Sequence, residues 1–156
     1  MKAILIFLLL DLTLTSSYNR EMAVKSVDKY YNNTKKSESN KVTLPKNEES
    51  ANFVSQCMFE AGQDFEGCSQ RDKDGKFKSS YDLKECLKSK GWRKAKKGEK
   101  PIKGNPAFMK DNEGKIIYSY IIGKEGFINR NKINCCSIQP YECTEIFKYN
   151  LEVYTK

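Results

Sequence analysis

The chain has 156 residues, carries a formal net charge of +8 at pH 7 and contains no histidine. The lack of histidine excludes Ser-His-Asp hydrolysis, Cys-His proteolysis, histidine acid–base catalysis and histidine-ligated metal sites. We therefore expect no cofactor, no metal site and no histidine-based catalytic group, in a chain long enough for one domain.

The first 17 residues have the three-part layout of a secretory leader. Lys2 precedes an apolar run from Ala3 to Leu10, and the small residues Thr15, Ser16 and Ser17 follow. The run is too short for a stable membrane-spanning helix, and Asp11 interrupts it. We expect export to the periplasm or the extracellular space, with the signal peptide (1–17) cleaved near Ser17.

Residues 18–49 are polar, with mixed charge and few apolar side chains. Such a segment cannot bury enough surface to order itself. The composition predicts a flexible polar spacer, with one short helical turn near residues 24–31.

Two short helices are predicted between residues 50 and 92. The first has Ser50 as its cap, Gly62 at its end and one apolar face: Phe53, Val54, Cys57, Met58 and Ala61. The second begins at Ser79 with a pattern typical of a capping box, ends at Gly91, and buries one stripe: Leu83, Cys86 and Leu87.

Both predicted helices carry the same short pattern. Residues 57–62 and 86–91 each read Cys, a large apolar residue, three further residues and Gly. Residues 14–16 also look like a lipoprotein processing site, although Ser17 stands where the lipidated cysteine would be. The chain thus resembles small uncharacterised envelope proteins and lipoproteins of Gram-negative bacteria. This resemblance implies no activity.

An acidic cluster is the one candidate for catalysis without histidine. Glu60, Asp64 and Glu66 lie beside Phe59 and Phe65, and paired carboxylates can hydrolyse glycosides. No spacing dictates a shared cleft, so we favour the interpretation that these acids are solvated.

The stretch 93–104 concentrates positive charge, with six cations against one acid. It is punctuated by glycine and proline, which predicts a loop. The cations would attract an anionic partner such as lipopolysaccharide, anionic lipid or nucleic acid. A solvated loop without a binding role is the alternative. The candidate binding residues are Arg93, Lys94, Lys96, Lys97, Lys100 and Lys103.

The last third of the chain, residues 105–156, has the patterns of an antiparallel sheet. A turn at 111–114 separates two apolar runs, 105–110 and 115–122, and the second run is apolar on both faces and hence central. Alternation from Phe147 to Val153 predicts a half-buried strand. The fold class is therefore α+β: a disulfide-stapled helical pair followed by a small antiparallel sheet.

Six cysteines in an exported chain predict a disulfide framework, with an all-cysteine zinc site as the alternative. Fifteen connectivities are possible. We prefer Cys57 with Cys86, and Cys143 with one of the neighbours Cys135 and Cys136, which leaves the other neighbour for Cys68.

Taken together, the sequence predicts one domain from residue 50 to 156, with a helical pair (50–92), a basic loop (93–104) and a sheet (105–156). We expect an exported, non-enzymatic, cationic protein of the bacterial envelope or periplasm that binds an anionic or envelope-protein partner. The alternatives are a secreted effector or toxin-like protein and a carboxylate-based hydrolase of wall polysaccharide.

Overall fold

A computed structural model describes residues 17–35, 47–124, 133–136, 140–143 and 151–156. The helices are α1 (Arg20–Lys35), α2 (Asn47–Glu60) and α3 (Ser80–Ser89). The strands are β1 (Arg93–Lys94), β2 (Pro106–Lys110), β3 (Ile116–Lys124), β4 (Ile133–Cys136), β5 (Pro140–Cys143) and β6 (Leu151–Thr155). The predicted α+β class is confirmed.

The strands form one antiparallel sheet in the order β1-β6-β2-β3-β4-β5. The predicted hairpin is β2 and β3, with Phe108 opposite Ser119. Its turn forms because Asp111 Oδ1 accepts hydrogen bonds from the backbone N–H groups of Glu113 and Lys115, each at 2.9 Å. Strand β3 is central, as its apolar sequence predicts, and buried side chains lie on both of its faces.

Helix α3 begins and ends where its sequence signals predict. Ser79 is the N-cap, and its side chain accepts a hydrogen bond from the Asp82 backbone N–H at 3.2 Å. At the other end Gly91 has a φ of 88°, and the Trp92 N–H donates to the Leu87 carbonyl. Helix α2 starts three residues earlier than predicted, so Ser50 lies inside its first turn rather than at its cap.

The predicted flexible spacer is wrong for residues 20–29, which belong to helix α1 and contribute to the core. Ala23 and Val27 are buried in the same cluster as Val54, Leu83 and Phe108. The error arose because α1 is polar overall, whereas its core contacts are made by small residues that bring the helix close to α2. Residues 36–46 of the predicted spacer, like the leader at 1–16, lie outside the described part of the chain.

The disulfide joins Cys68 to Cys86, with a Cα–Cα distance of 5.4 Å. Our preferred pairing of Cys57 with Cys86 is therefore wrong. Cys57 is a fully buried thiol on the core face of α2, whereas Cys68 lies in the loop that turns back to α3. The bridge staples α3 to that loop, and not every cysteine is oxidised. The side chains of Cys135, Cys136 and Cys143 lie outside the described part of the structure.

Among the described helices, none is long and apolar enough to cross a membrane.

The first residue of α1 and the two residues before it are docked by three hydrogen bonds. The Tyr18 hydroxyl donates to the Gly104 carbonyl at 2.7 Å, and Arg20 Nε donates to Asn105 Oδ1 at 2.7 Å. The Asn19 N–H donates to the Ala61 carbonyl at 2.8 Å. Gly104 has a φ of +85°, and a Cβ placed there would overlap the backbone of Arg20.

We expect Gly104→Ala to destabilise the fold more than Gly98→Ala. Both glycines have a left-handed φ, which costs an L-residue about 1 to 2 kcal/mol. At Gly104 the new methyl group would also overlap Arg20, which should lower the free energy of unfolding by about 1 to 3 kcal/mol more. At Gly98 no atom lies within 4 Å of the new methyl group. Urea unfolding of both variants measures the difference. Equal losses of stability would show that the N-terminal segment is not docked against residue 104.

Candidate functional site: a buried serine cluster

Three serine side chains from three different elements meet in the interior. Ser50 Oγ of α2 lies 3.1 Å from Ser80 Oγ of α3, and Ser80 Oγ donates to Ser119 Oγ of β3 at 3.1 Å. The Ser119 backbone N–H donates to Ser50 Oγ at 3.3 Å. All three residues are fully buried. We call Ser50, Ser80 and Ser119 the serine cluster.

Ser80 is the middle member of the serine cluster. Ser80 Oγ donates to Ser119 Oγ, whereas either oxygen can be the donor between Ser50 and Ser80. Ser80 is thus bonded to both of the other serines and links Ser50 to Ser119.

Ser50 lies in the first turn of a 14-residue helix. The N–H groups of a first turn lack partners within the helix, and the helix dipole places partial positive charge there. Such a position stabilises negative charge that develops on a nearby oxygen. Glu48 and Glu49 of the same turn are exposed, so water and salt screen their charges.

A second potential nucleophile, Cys57, lies two helical turns after Ser50 on the same buried face of α2. It is fully buried in the core cluster, and buried structural cysteines are generally inert. Ser50 is equally buried, but its hydroxyl group is hydrogen-bonded to Ser80 and to the Ser119 backbone, so the serine cluster is the better candidate for nucleophilic chemistry. Its general base has to be a carboxylate or an amine, since the chain has no histidine.

The acidic cluster does not converge on a cleft. Glu60 accepts hydrogen bonds from Ser26 and Lys29 of α1, at 2.7 and 3.1 Å. Asp64 pairs instead with Lys90, beyond α3, at 3.1 Å. The Glu66 backbone N–H and Lys90 hold the pKa of Asp64 below its usual value. A glycosidase needs a carboxyl group with a raised pKa as its general acid, so this arrangement does not support polysaccharide hydrolysis.

The basic stretch 93–104 is partly neutralised by its own acid. Arg93 makes two hydrogen bonds of 2.9 Å to the two carboxylate oxygens of Glu99. This pairing lowers the pKa of Glu99 to about 2. Lys94 reaches Glu152 at 2.9 Å. The remaining candidates, Lys96, Lys97, Lys100 and Lys103, have no described carboxylate within 4 Å of their amino groups, and binding by this stretch stays a prediction.

Groups of histidine, cysteine or carboxylate side chains able to hold a metal ion do not occur among the described residues.

Comparison with known families bears directly on this site. The family model described as Putative amidase domain matches residues 17–120, two thirds of the chain. The chain belongs to this family. The match covers all three helices, β1, β2 and the part of β3 that carries Ser119, so the whole serine cluster lies inside it. No curated protein and no solved structure matches the chain.

Family membership corrects two expectations drawn from the sequence. The expected non-enzymatic binding protein is wrong, because an amidase domain indicates a hydrolase. The hydrolase alternative is closer to the finding, although the bond concerned is an amide rather than a glycosidic bond.

The expectation that no residue is catalytic rested on the missing histidine. That expectation stays a prediction. The sequence does place a serine on the buried face of α2, because Ser50, Val54, Cys57 and Ala61 have helical spacing.

Proposed function

We propose that the protein hydrolyses amide bonds and that Ser50 supplies the nucleophilic hydroxyl group. The proposal is carried by one observation: a buried cluster of mutually hydrogen-bonded hydroxyl groups lies wholly within the amidase domain. Ser50 Oγ attacks the amide carbonyl carbon as its proton moves toward Ser80. The C–N bond then breaks, the amine leaves with a proton, and water hydrolyses the Ser50 ester to release the carboxylic acid and restore the hydroxyl group. The oxyanion that forms lies near the first turn of α2, where the helix dipole stabilises negative charge.

The three hydroxyl groups position the proton but are too weak as bases to take it up on their own. A carboxylate or an amine must complete the transfer, since these are the titratable groups that the chain offers in place of histidine. Ser50 is also fully buried, so hydrolysis requires the cluster to open to the substrate. Labelling of Ser50 by a reactive probe tests both requirements at once.

We expect a fluorophosphonate probe to label the protein at Ser50, because such probes react only with an activated and accessible serine. Hydrolysis of a panel of blocked peptide amides, followed by mass spectrometry, should show products that have gained water. In Ser50→Ala the label should be absent and the rate should fall by roughly 10⁴-fold or more. The matched control is Ser55→Ala on the same helix, whose hydroxyl donates to the Asn52 carbonyl at 3.0 Å.

Two results would contradict the proposal. One is hydrolysis by Ser50→Ala at the rate of the unaltered protein, which would move the nucleophile elsewhere. The other is the absence of both label and hydrolysis in the unaltered protein across the panel. Ser50→Cys separates a lost nucleophile from a lost fold, because a thiol of similar size should retain activity and become sensitive to alkylation.

We further propose that the protein works outside the cytoplasm. The leader at 1–17 supports export, and the Cys68–Cys86 disulfide is typical of an oxidising compartment. Protein from its native source should have the intact mass of a chain that begins near Tyr18. Alkylation without reduction should leave Cys68 and Cys86 unmodified and label Cys57 only after unfolding. A chain that retains Met1, with Cys68 and Cys86 alkylated, would contradict export.

A further inference from the structure

A groove rimmed by lysines lies at the start of α3 and along the β2–β3 hairpin. It consists of two adjoining cavities of about 400 and 480 Å³, which share Lys110 and Gly114. Such volumes suit a small ligand or a few residues of a peptide. We call it the lysine groove, and its four cations are Lys84, Lys94, Lys110 and Lys115.

The groove lies next to the serine cluster in the chain. Ser79 and Tyr81 line it, and Ser80 of the cluster is the residue between them. On the sheet side Ile116 lines the groove, three residues before Ser119 on β3. A molecule bound in the groove therefore contacts the two elements that carry Ser80 and Ser119.

The charge of the groove is positive but includes fixed acids. Lys94 and Lys110 both bond to Oε1 of the buried Glu152, at 2.9 and 2.5 Å, so this trio retains one positive charge. Burial alone would raise the pKa of Glu152, but the hydrogen bonds from Lys110 and Lys94 outweigh it and lower the pKa. Lys84 lies 3.6 Å from Glu85 Oε1 and 13% of its side chain is exposed, whereas Lys115 is an exposed residue. Glu113 supplies a second acid to the lining.

The walls between these charges are apolar or aromatic. Tyr81 is 52% exposed, and Lys84 Nζ lies 5.0 Å from the centre of its ring. Ile116 and Leu151 complete the apolar walls. A phosphate backbone, with one charge on every unit, would meet Glu113 and Glu152 as like charges. A peptide with separate carboxylates and apolar side chains matches both the lysines and the walls.

We propose that the lysine groove binds the carboxylate-bearing part of a peptide, and that this acidic peptide is the substrate class of the amidase. The inference rests on the proposed function for its second half, since the bound peptide is the molecule whose amide bond is cleaved. Its first half, the recognition of carboxylates by Lys84 and Lys115, stands on the groove itself. The two halves can therefore be tested separately.

Binding is measured by fluorescence anisotropy on the chain from Tyr18 to Lys156 carrying Ser50→Ala, so that hydrolysis does not consume the probe. The probes are a labelled, blocked hexapeptide of Glu and Leu and the same peptide with every Glu replaced by Gln. The Glu peptide should bind about tenfold or more tightly, with an affinity that falls as salt rises. Equal affinity for the two peptides would overturn the inference.

The groove lysines are tested by Lys84→Gln with Lys115→Gln, which should weaken binding of the Glu peptide by about five- to tenfold. The matched control, Lys97→Gln with Lys100→Gln, removes the same charge from the basic stretch and should change affinity less than twofold. A larger loss of affinity in the control variant than in the groove variant would overturn the groove assignment. The assignment would also fail if duplex DNA displaced the peptide and if the binding of that DNA required Lys97 and Lys100.

The hydrolysis assay separates this inference from the proposed function. If the Glu peptide binds through the groove lysines but is never hydrolysed by the unaltered protein, the groove is supported as a carboxylate site and its assignment as a substrate site is overturned. If amides are hydrolysed with equal rates for the Glu and Gln peptides, the amidase function stands and the groove inference fails.

Discussion

The hydrogen bonds among Ser50, Ser80 and Ser119 are the contacts on which the arrangement of this domain depends. They join α2, α3 and the central strand β3 at one fully buried point. A buried hydroxyl group without a partner lowers the free energy of unfolding by about 1 to 3 kcal/mol. A shift of any of the three elements that breaks these hydrogen bonds is therefore unfavourable. The same constraint holds the proposed nucleophile at the start of a helix and beside the lysine groove.

The elements that could be predicted from the sequence are those with local signals. Ser79 and Asp82 cap α3 through contacts only three residues apart, and Gly91 ends that helix with a left-handed turn. Asp111 builds the β2–β3 turn in the same local way. The apolar run after it correctly indicated a central strand, because only a strand covered on both faces carries apolar residues at every position.

The features that sequence reasoning missed depend on contacts between distant parts of the chain. Helix α1 looks too polar to fold, yet Ala23 and Val27 are buried once α2 is present to cover them. Cys86 pairs with Cys68 because the loop after α2 brings Cys68 next to α3. The spacing of the cysteines in the sequence does not predict the course of that loop. The serine cluster joins residues 30 and 39 positions apart, and single serines are usually read as caps or loop residues.

The most direct test of this account is a double-mutant cycle between Ser50 and Ser80, measured as free energies of unfolding in urea. Ser50→Ala, Ser80→Ala and the double variant are compared with the unaltered chain. If the cluster is one connected unit, each single change removes the hydrogen bond that Ser50 and Ser80 share. The double change should then cost less than the sum of the two, with a coupling of about 0.5 to 3 kcal/mol. Additivity within about 0.3 to 0.5 kcal/mol would contradict a coupled cluster and, with it, the site proposed here.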